Sequence, residues 1–245
     1  MNKRLLPFLI LSGLFLVSFF SCKKESDDKY ANDVSAGYFP LEVGHYITYS
    51  VDSLIWNDFN CTVDTNTYQV RYTVADTFFD NASRLSYRIE TSIRTADTLP
   101  WQPGNVVYAT RTATGLEYVE SNLRFIKLTY PIVEGQTWDG NSMILTNDQD
   151  YSYMAGWEYK YANYKQSFEQ DGISFDNTVT VNEVDETQND PETQPNDYAY
   201  RTYSKEVYAY GVGMVYRSWT HWIYDPGVKQ CRKGAAVVMK AIDHN

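Results

Sequence analysis

Alternation of apolar and polar residues is the dominant pattern along this chain. Residues 67–74 read TYQVRYTV, with Tyr68, Val70, Tyr72 and Val74 on one face and Gln69, Arg71 and Thr73 on the other. Residues 84–93 repeat the pattern, Leu85, Tyr87, Ile89 and Ile93 opposing Ser86, Arg88 and Glu90. A period of two over this length predicts half-buried antiparallel strands. Further strands are expected at 46–51, 105–112, 115–120 and 123–129, with Thr114-Gly115 and Ser121-Asn122 as breaks. Trp157, Tyr159 and Tyr161 alternate with Glu158 and Lys160, and Phe175 to Val184 contains the strand-forming run Thr178-Val179-Thr180-Val181. The last third adds residues 204–215, Tyr216 to Tyr224 and Ala235 to Ile242. Gly211 and Gly213 permit a sharp turn there. A turn or two of helix is expected near 204–210, and no long amphipathic helix anywhere.

One apolar stretch does not alternate. Leu5 to Phe20 follows the cations Lys3 and Arg4 and ends at Ser21-Cys22, after which the chain turns polar. Sixteen helical residues would span about 24 Å, short of a hydrocarbon core of roughly 30 Å, so a cleaved signal fits better than a permanent span. The arrangement resembles a bacterial lipoprotein signal, which implies that Cys22 is acylated and becomes the new N-terminus. The run after it, Lys23 to Asp28 (KKESDD), resembles the Lys-plus-acidic tag that directs Bacteroidota-type lipoproteins to the cell surface. The expected organisation is a signal at 1–21, a lipidated tether at 22–36 and one antiparallel β domain at 37–245. The expected location is the outer membrane, with the cell surface favoured over the periplasmic face.

The domain opens with Phe39-Pro40-Leu41, then Gly44 and Tyr46. At an offset of 91 residues the pattern returns as Tyr130-Pro131-Ile132, Gly135 and Trp138. A single recurrence is too little for a solenoid and points to two similar halves of one domain. Together with Tyr208-Ala209, Val212-Gly213 and Val215, these motifs resemble a broad group of uncharacterised Bacteroidota-type envelope lipoproteins. The resemblance covers about residues 38–243. It implies an all-β fold, an antiparallel sheet with little helix, curved as a half-barrel like that of lipoprotein-carrier proteins or folded as a sandwich. It carries no catalytic residue across.

Charge narrows the partners. Loss of residues 1–21 would leave 19 basic against 31 acidic residues, a formal charge of −12. Nucleic-acid binding needs clustered Lys and Arg and is not expected, and repulsion disfavours a second contact with anionic headgroups. The membrane is met through the N-terminal anchor. Of the rest, 22 Tyr, 6 Trp and 11 Phe are the compositional signal. Such rings fill cores, and they also stack on sugars. Trp219, Trp222 and Tyr224 are the candidate ligand-facing set, with Trp222 and Tyr224 on one strand face and Trp219 on the other. A row of exposed rings would favour a glycan, a concave apolar lumen a lipid-like ligand, and a flat patch an envelope protein.

The expected function is that of a structural, accessory or partner-binding lipoprotein. The alternative is a module for a glycan or an apolar ligand, and a hydrolase is the least expected. No nucleophile elbow or close-spaced metal pair is present; His45, His221 and His244 are scattered, so no catalytic residue, metal or cofactor is assigned. The acidic run 185–197 (DETQNDPETQPND) reads as a loop without the spacing of a calcium site. Asp52-Ser53-Leu54 and Asp97-Thr98-Leu99 resemble extracytoplasmic O-glycosylation acceptors, which would place sugars on Ser53 and Thr98. Cys61 and Cys231 are the two thiols left beside Cys22 and form a candidate disulfide, Cys61 expected in a strand and Cys231 in a loop.

Overall fold

A computed structural model of the chain describes residues 34–245. The signal, Cys22 and nearly all of the tether lie outside the described residues. The described part is an all-β domain of twelve antiparallel strands: β1 (Tyr46–Asn57), β2 (Thr62–Phe79), β3 (Leu85–Arg94), β4 (Gln102–Arg111), β5 (Gly115–Glu120), β6 (Leu123–Thr129), β7 (Thr137–Trp138), β8 (Tyr159–Gln170), β9 (Ile173–Gln188), β10 (Ala199–Ala209), β11 (Gly213–Asp225) and β12 (Lys229–His244). Neighbours along the chain are neighbours in the sheet, and β12 returns to pair with β1. The sheet is therefore a ring of strands in chain order, open only between β6 and β7. It is a nearly closed barrel, more complete than a half-barrel and not a sandwich.

The predicted alternation sets the lumen. Tyr68, Val70, Tyr72 and Val74 of β2 share a face with Ile47, Tyr49 and Val51 of β1, whose register pairs Tyr49 with Val70 and Val51 with Tyr68. Val51 and Val74 are almost wholly buried, as are Val107, Leu116, Leu128, Val179 and Val181 on other strands. Burying a Val or Leu side chain is worth roughly 1.5–3 kcal/mol, which makes the lumen the main source of stability.

Two segments stopper the ring. Val34–Tyr38 forms a short 3-10 turn, and Phe39 follows into one end against the rings of Tyr118 (6.0 Å) and Tyr208 (6.2 Å). Arg111 of β4 holds this segment through the carbonyls of Ala36 and Phe39, at 3.2 and 2.9 Å. The segment after β6 arrives at the same end, where the Ile132 amide donates to Ser35 Oγ at 3.0 Å. Both Pro motifs thus pack beside each other, one ahead of β1 and one ahead of β7. Gly44 and Gly135 take φ of 95° and 78°, the left-handed region that glycine adopts without strain. The opposite end is crossed by residues 139–158, which bury Ile144, Met154 and Trp157.

Several boundaries differ from expectation. Residues 204–210 form no helix; residues 204–209 belong to β10, paired with β9 and β11, and Tyr210 starts the turn that follows. The acidic run 185–197 begins as strand, since β9 reaches Gln188 and Asp185 is bonded to Arg201 at 2.6 Å. Cys61 lies in the β1–β2 turn with φ of 58°, and Cys231 lies within β12. The two are joined as a disulfide with Cα atoms 5.4 Å apart. The β8–β9 hairpin folds outward onto the barrel wall. There Phe168 packs on Tyr216 at 5.3 Å, and Gln170 Nε2 donates to the Tyr216 hydroxyl at 2.7 Å.

Candidate functional site: a charged lumen between two cavities

Five charged side chains point into this apolar lumen. Lys127 of β6 donates to Glu183 Oε1 of β9 at 2.9 Å and to Glu206 Oε1 of β10 at 2.7 Å. All three side chains are between 1% and 5% exposed. Arg217 of β11 places Nε 3.5 Å from Glu206 and Nη1 3.2 Å from Glu120 of β5. Ser204 and Tyr208 donate to the remaining oxygens of Glu183 and Glu206, each at 2.5 Å. Buried charges persist only when paired and hydrogen-bonded, and each carboxylate here has a cationic or hydroxyl partner.

Backbone geometry positions the set. Lys127 is in phase with Leu123 and Phe125 on the inner face of β6. The β9–β10 register jumps between Ser204 and Lys205, leaving Glu183 as the extra residue of a bulge. A bulge sets two successive side chains on one face: Glu183 follows Val179 and Val181 on the inner face of β9, and the bulge brings Val184 in beside it. A second register shift, between Val207 and Tyr208, makes Val215 the extra residue on β11.

Ionisation follows from this packing. Burial, and then the neighbouring Glu206 carboxylate, push Glu183 above the ordinary carboxylate range. For Glu206 burial acts upward as well, but Lys127 and Arg217, with hydrogen bonds from Lys127 and Tyr208, hold it below that range. Lys127 is pulled down by burial and raised more by the two glutamates, so it stays an ammonium. A proton entering the cluster therefore goes to Glu183. Tyr208 is pushed well up by burial and by Glu206, and it remains a donor.

The cluster separates two cavities that share Tyr72 and Arg217 as a wall. The inner one, about 50 Å³, lies beneath the Phe39 stopper and is walled by Ile47, Tyr49, Val74, Ile89 and Met214. The outer one, about 330 Å³, is walled by Val51, Val70, Phe125, Met154, Trp219 and Met239, with Glu120 and Arg217 on its surface. Exposed Ser121 of the β5–β6 turn and half-buried Tyr68, Tyr153 and Trp219 mark where solvent reaches it.

The aromatic residues singled out in the sequence divide between two faces. Trp219 lines the outer cavity. Trp222 is half-buried beneath the Arg232 guanidinium, 4.9 Å from its ring centre. Tyr224 is buried and donates to the Pro195 carbonyl at 2.7 Å, under the acidic loop. The three do not form an exposed row. Ser53 is half-buried in β1, a strand paired on both sides, with its hydroxyl 3.4 Å from the Asn66 carbonyl. Thr98 lies in the exposed β3–β4 turn. His45 bonds the Val212 carbonyl at 2.9 Å. His221 bonds Thr202, stacks on Tyr153 at 3.9 Å and is lowered in pKa by burial. His244 sits beside the Phe175 ring. No group of His, Cys, Asp and Glu able to hold a metal occurs among the described residues. Among them, too, no helix is long and apolar enough to cross a membrane.

Sequence reasoning missed Lys127, Glu183, Glu206, Arg217 and Glu120. The signal for Lys127 was available: a charge in phase with the apolar face of a strand. Glu183 carries the same mark, in phase with Val179 and Val181, whereas the bulge that aims Arg217 leaves none.

No known family model and no curated protein matches this sequence. Among solved structures, one of a Bacteroides fragilis protein, described as exported and of YmcC-like fold, is similar over 84% of this chain and 98% of its own. The identity is 13% and the TM-score 0.37.

Proposed function

We propose that this chain is a lipid-anchored protein of the bacterial cell envelope whose barrel holds an apolar ligand in its outer cavity. The anchor reading rests on Lys3, Arg4, the apolar run and the switch in polarity at Cys22. The ligand reading rests on one observation: a cavity of about 330 Å³ with aliphatic and aromatic walls, open to solvent at one end. Ligand sites are concave, mostly apolar and marked by a few convergent polar groups, and sites of this kind begin at roughly 300 Å³. We assign no catalytic step, because the charged groups of the lumen are bound to one another.

The ligand reading is tested by extracting the purified chain with organic solvent and identifying what leaves it by mass spectrometry. A recurring apolar compound, absent from a Val70→Trp variant with a filled cavity, is the expected result. An extract identical to that of the filled variant would refute it. The anchor is tested separately. Cys22→Ala is expected to move the chain from the membrane to the soluble fraction, and unchanged fractionation rejects acylation.

A second reading, docking to another envelope protein, is favoured by the outer wall near the β2–β3 turn. There Phe78 packs on Tyr108 at 5.4 Å on the face opposite the lumen, both exposed. Double substitution Phe78→Ser with Tyr108→Ser would abolish co-purification of such a partner and leave ligand extraction unchanged.

A further inference from the structure

We propose that the outer cavity selects an apolar ligand with an uncharged hydrogen-bonding head, such as a hydroxyl or primary amide, seated at Glu120 and Arg217. This rests on the reading that the cavity binds a ligand and adds the class of its headgroup.

The argument begins from the two walls. Val51, Val70, Phe125 and Met239 offer only apolar surface, and Trp219 adds a largely apolar ring, so the body of the ligand is hydrocarbon. The polar groups converge instead where Glu120 and Arg217 meet. Arg217 Nη1 and Glu120 Oε2 are 3.2 Å apart, a loose contact for a charged pair, whose N–H···O distances are typically about 2.7–2.9 Å. The Arg217 Nε is buried without a hydrogen-bond acceptor, its closest carboxylate oxygen being Glu206 Oε1 at 3.5 Å. One head that both donates and accepts can bridge this pair, giving its proton to Glu120 and taking one from Arg217.

Charge then excludes the ionised heads. The lumen holds the carboxylates Glu120, Glu183 and Glu206 against the cations Lys127 and Arg217. With a proton on Glu183 the set is balanced, and without it the set carries one negative charge. An entering carboxylate or phosphate adds negative charge to an interior that has no spare cation. An entering ammonium finds each carboxylate already held: Glu120 by Arg217, Glu206 by Lys127 and Tyr208, Glu183 by Lys127 and Ser204. To gain Glu120 it would have to displace Arg217, stranding a guanidinium against apolar walls. Either ion would also lose its own hydration, which a neutral head of the same size loses far less of.

The test uses three probes with one decyl chain and different heads: 1-decanol, decanoate and decyltrimethylammonium. Each is titrated into the purified full chain at pH 7, below its micellar concentration, by native mass spectrometry and calorimetry. Decanol is expected to bind at least tenfold more tightly than either ion. Tighter binding of decanoate or of the ammonium overturns the headgroup assignment and leaves the apolar cavity standing. Binding of none of the three overturns the ligand reading itself. Glu120→Gln frees Arg217 and is expected to reverse the order of decanol and decanoate. An unchanged order in a variant with wild-type circular dichroism counts against the assignment. If that variant does not fold, the wild-type ranking decides alone.

Discussion

The ring of strands is closed in two places, by different means. At β1–β12 the contact is a backbone ladder, running from Ile47 opposite His244 to Trp56 opposite Gly234. The Cys61–Cys231 disulfide fastens the far end of that ladder. At β6–β7 there is no ladder. The Ile126 amide donates to the Gly140 carbonyl at 2.8 Å, and Trp138 Nε1 donates to the Ile126 carbonyl at 2.8 Å. The Tyr161 hydroxyl serves both the amide and the carbonyl of Thr129, at 2.8 and 2.9 Å. Lys127 adds the reach across the lumen to β9 and β10. A backbone ladder depends little on which side chains are present, whereas the second seam is written almost entirely in side chains. Strand β7, two residues long, is the reason: it offers β6 too little backbone to pair with.

This contrast can be broken from either side, and the largest effect is expected at Lys127. Lys127→Met removes the cation shared by Glu183 and Glu206 and leaves two carboxylates buried together. Stability measured by urea unfolding is expected to fall by about 3–5 kcal/mol. Hydrogen exchange should lose protection in β6 first, while β1 and β12 keep theirs. Equal loss at both seams would show that Lys127 does not belong to the β6–β7 closure.

The disulfide comes next. Its loop of 170 residues would contribute about 5 kcal/mol in the chain-entropy limit, and measured bridges usually fall below that limit. The double variant Cys61→Ser with Cys231→Ser is expected to lose about 2–4 kcal/mol and to keep the β1–β12 ladder, seen as unchanged strand content by circular dichroism. Loss of that strand content would mean that the ladder depends on the bridge.

Tyr161→Phe is smaller. It strips the Thr129 amide and carbonyl of one partner and should cost about 1–3 kcal/mol, the usual penalty for buried polar groups left unpaired. Exchange at the Thr129 amide should quicken. An amide that exchanges at the wild-type rate would place the seam's strength elsewhere.

The smallest effect is one of pH. The folded pKa of Glu183 is raised, so the folded state holds its proton more firmly than the unfolded chain does. Its contribution is fully present below the ordinary glutamate value and is lost as pH rises through the raised one. Glu183→Gln keeps an acceptor for Lys127 and removes that titration. Relative to the wild type, the variant should gain stability between acid and neutral pH. A constant difference across that range would show that Glu183 does not titrate there.

How far the sequence carried this picture depends on what each feature is made of. The strands at 67–74, 84–93, 115–120 and 123–129 were legible because one face of each meets the apolar lumen. The start of β12 was not, since Lys229 to Gly234 includes three cations and no apolar run. It is a strand because β11 pairs with it and the disulfide fastens it. Residues 204–210 resembled a helical turn because Lys205 and Glu206 interrupt the apolar pattern. Glu206 does so as a buried ion, which only its partners on β6 and β11 explain. Trp219 was found for its ring, while the carboxylate and guanidinium beside it were invisible, because they come from strands nearly a hundred residues apart.

The order of strands has one more consequence. Position around the ring repeats position along the chain, and Asn245 returns to the entrance of β1. Its side chain accepts from the Tyr46 amide at 2.9 Å and donates to the Gly44 carbonyl at 3.1 Å. The fold is thus a circle with a single nick, and the nick could be moved. A circular permutant that joins Asn245 to Val34 through a flexible linker and begins anew at Pro131 would keep every strand beside its present neighbours. Its cut would fall at the seam that the backbone already leaves unpaired.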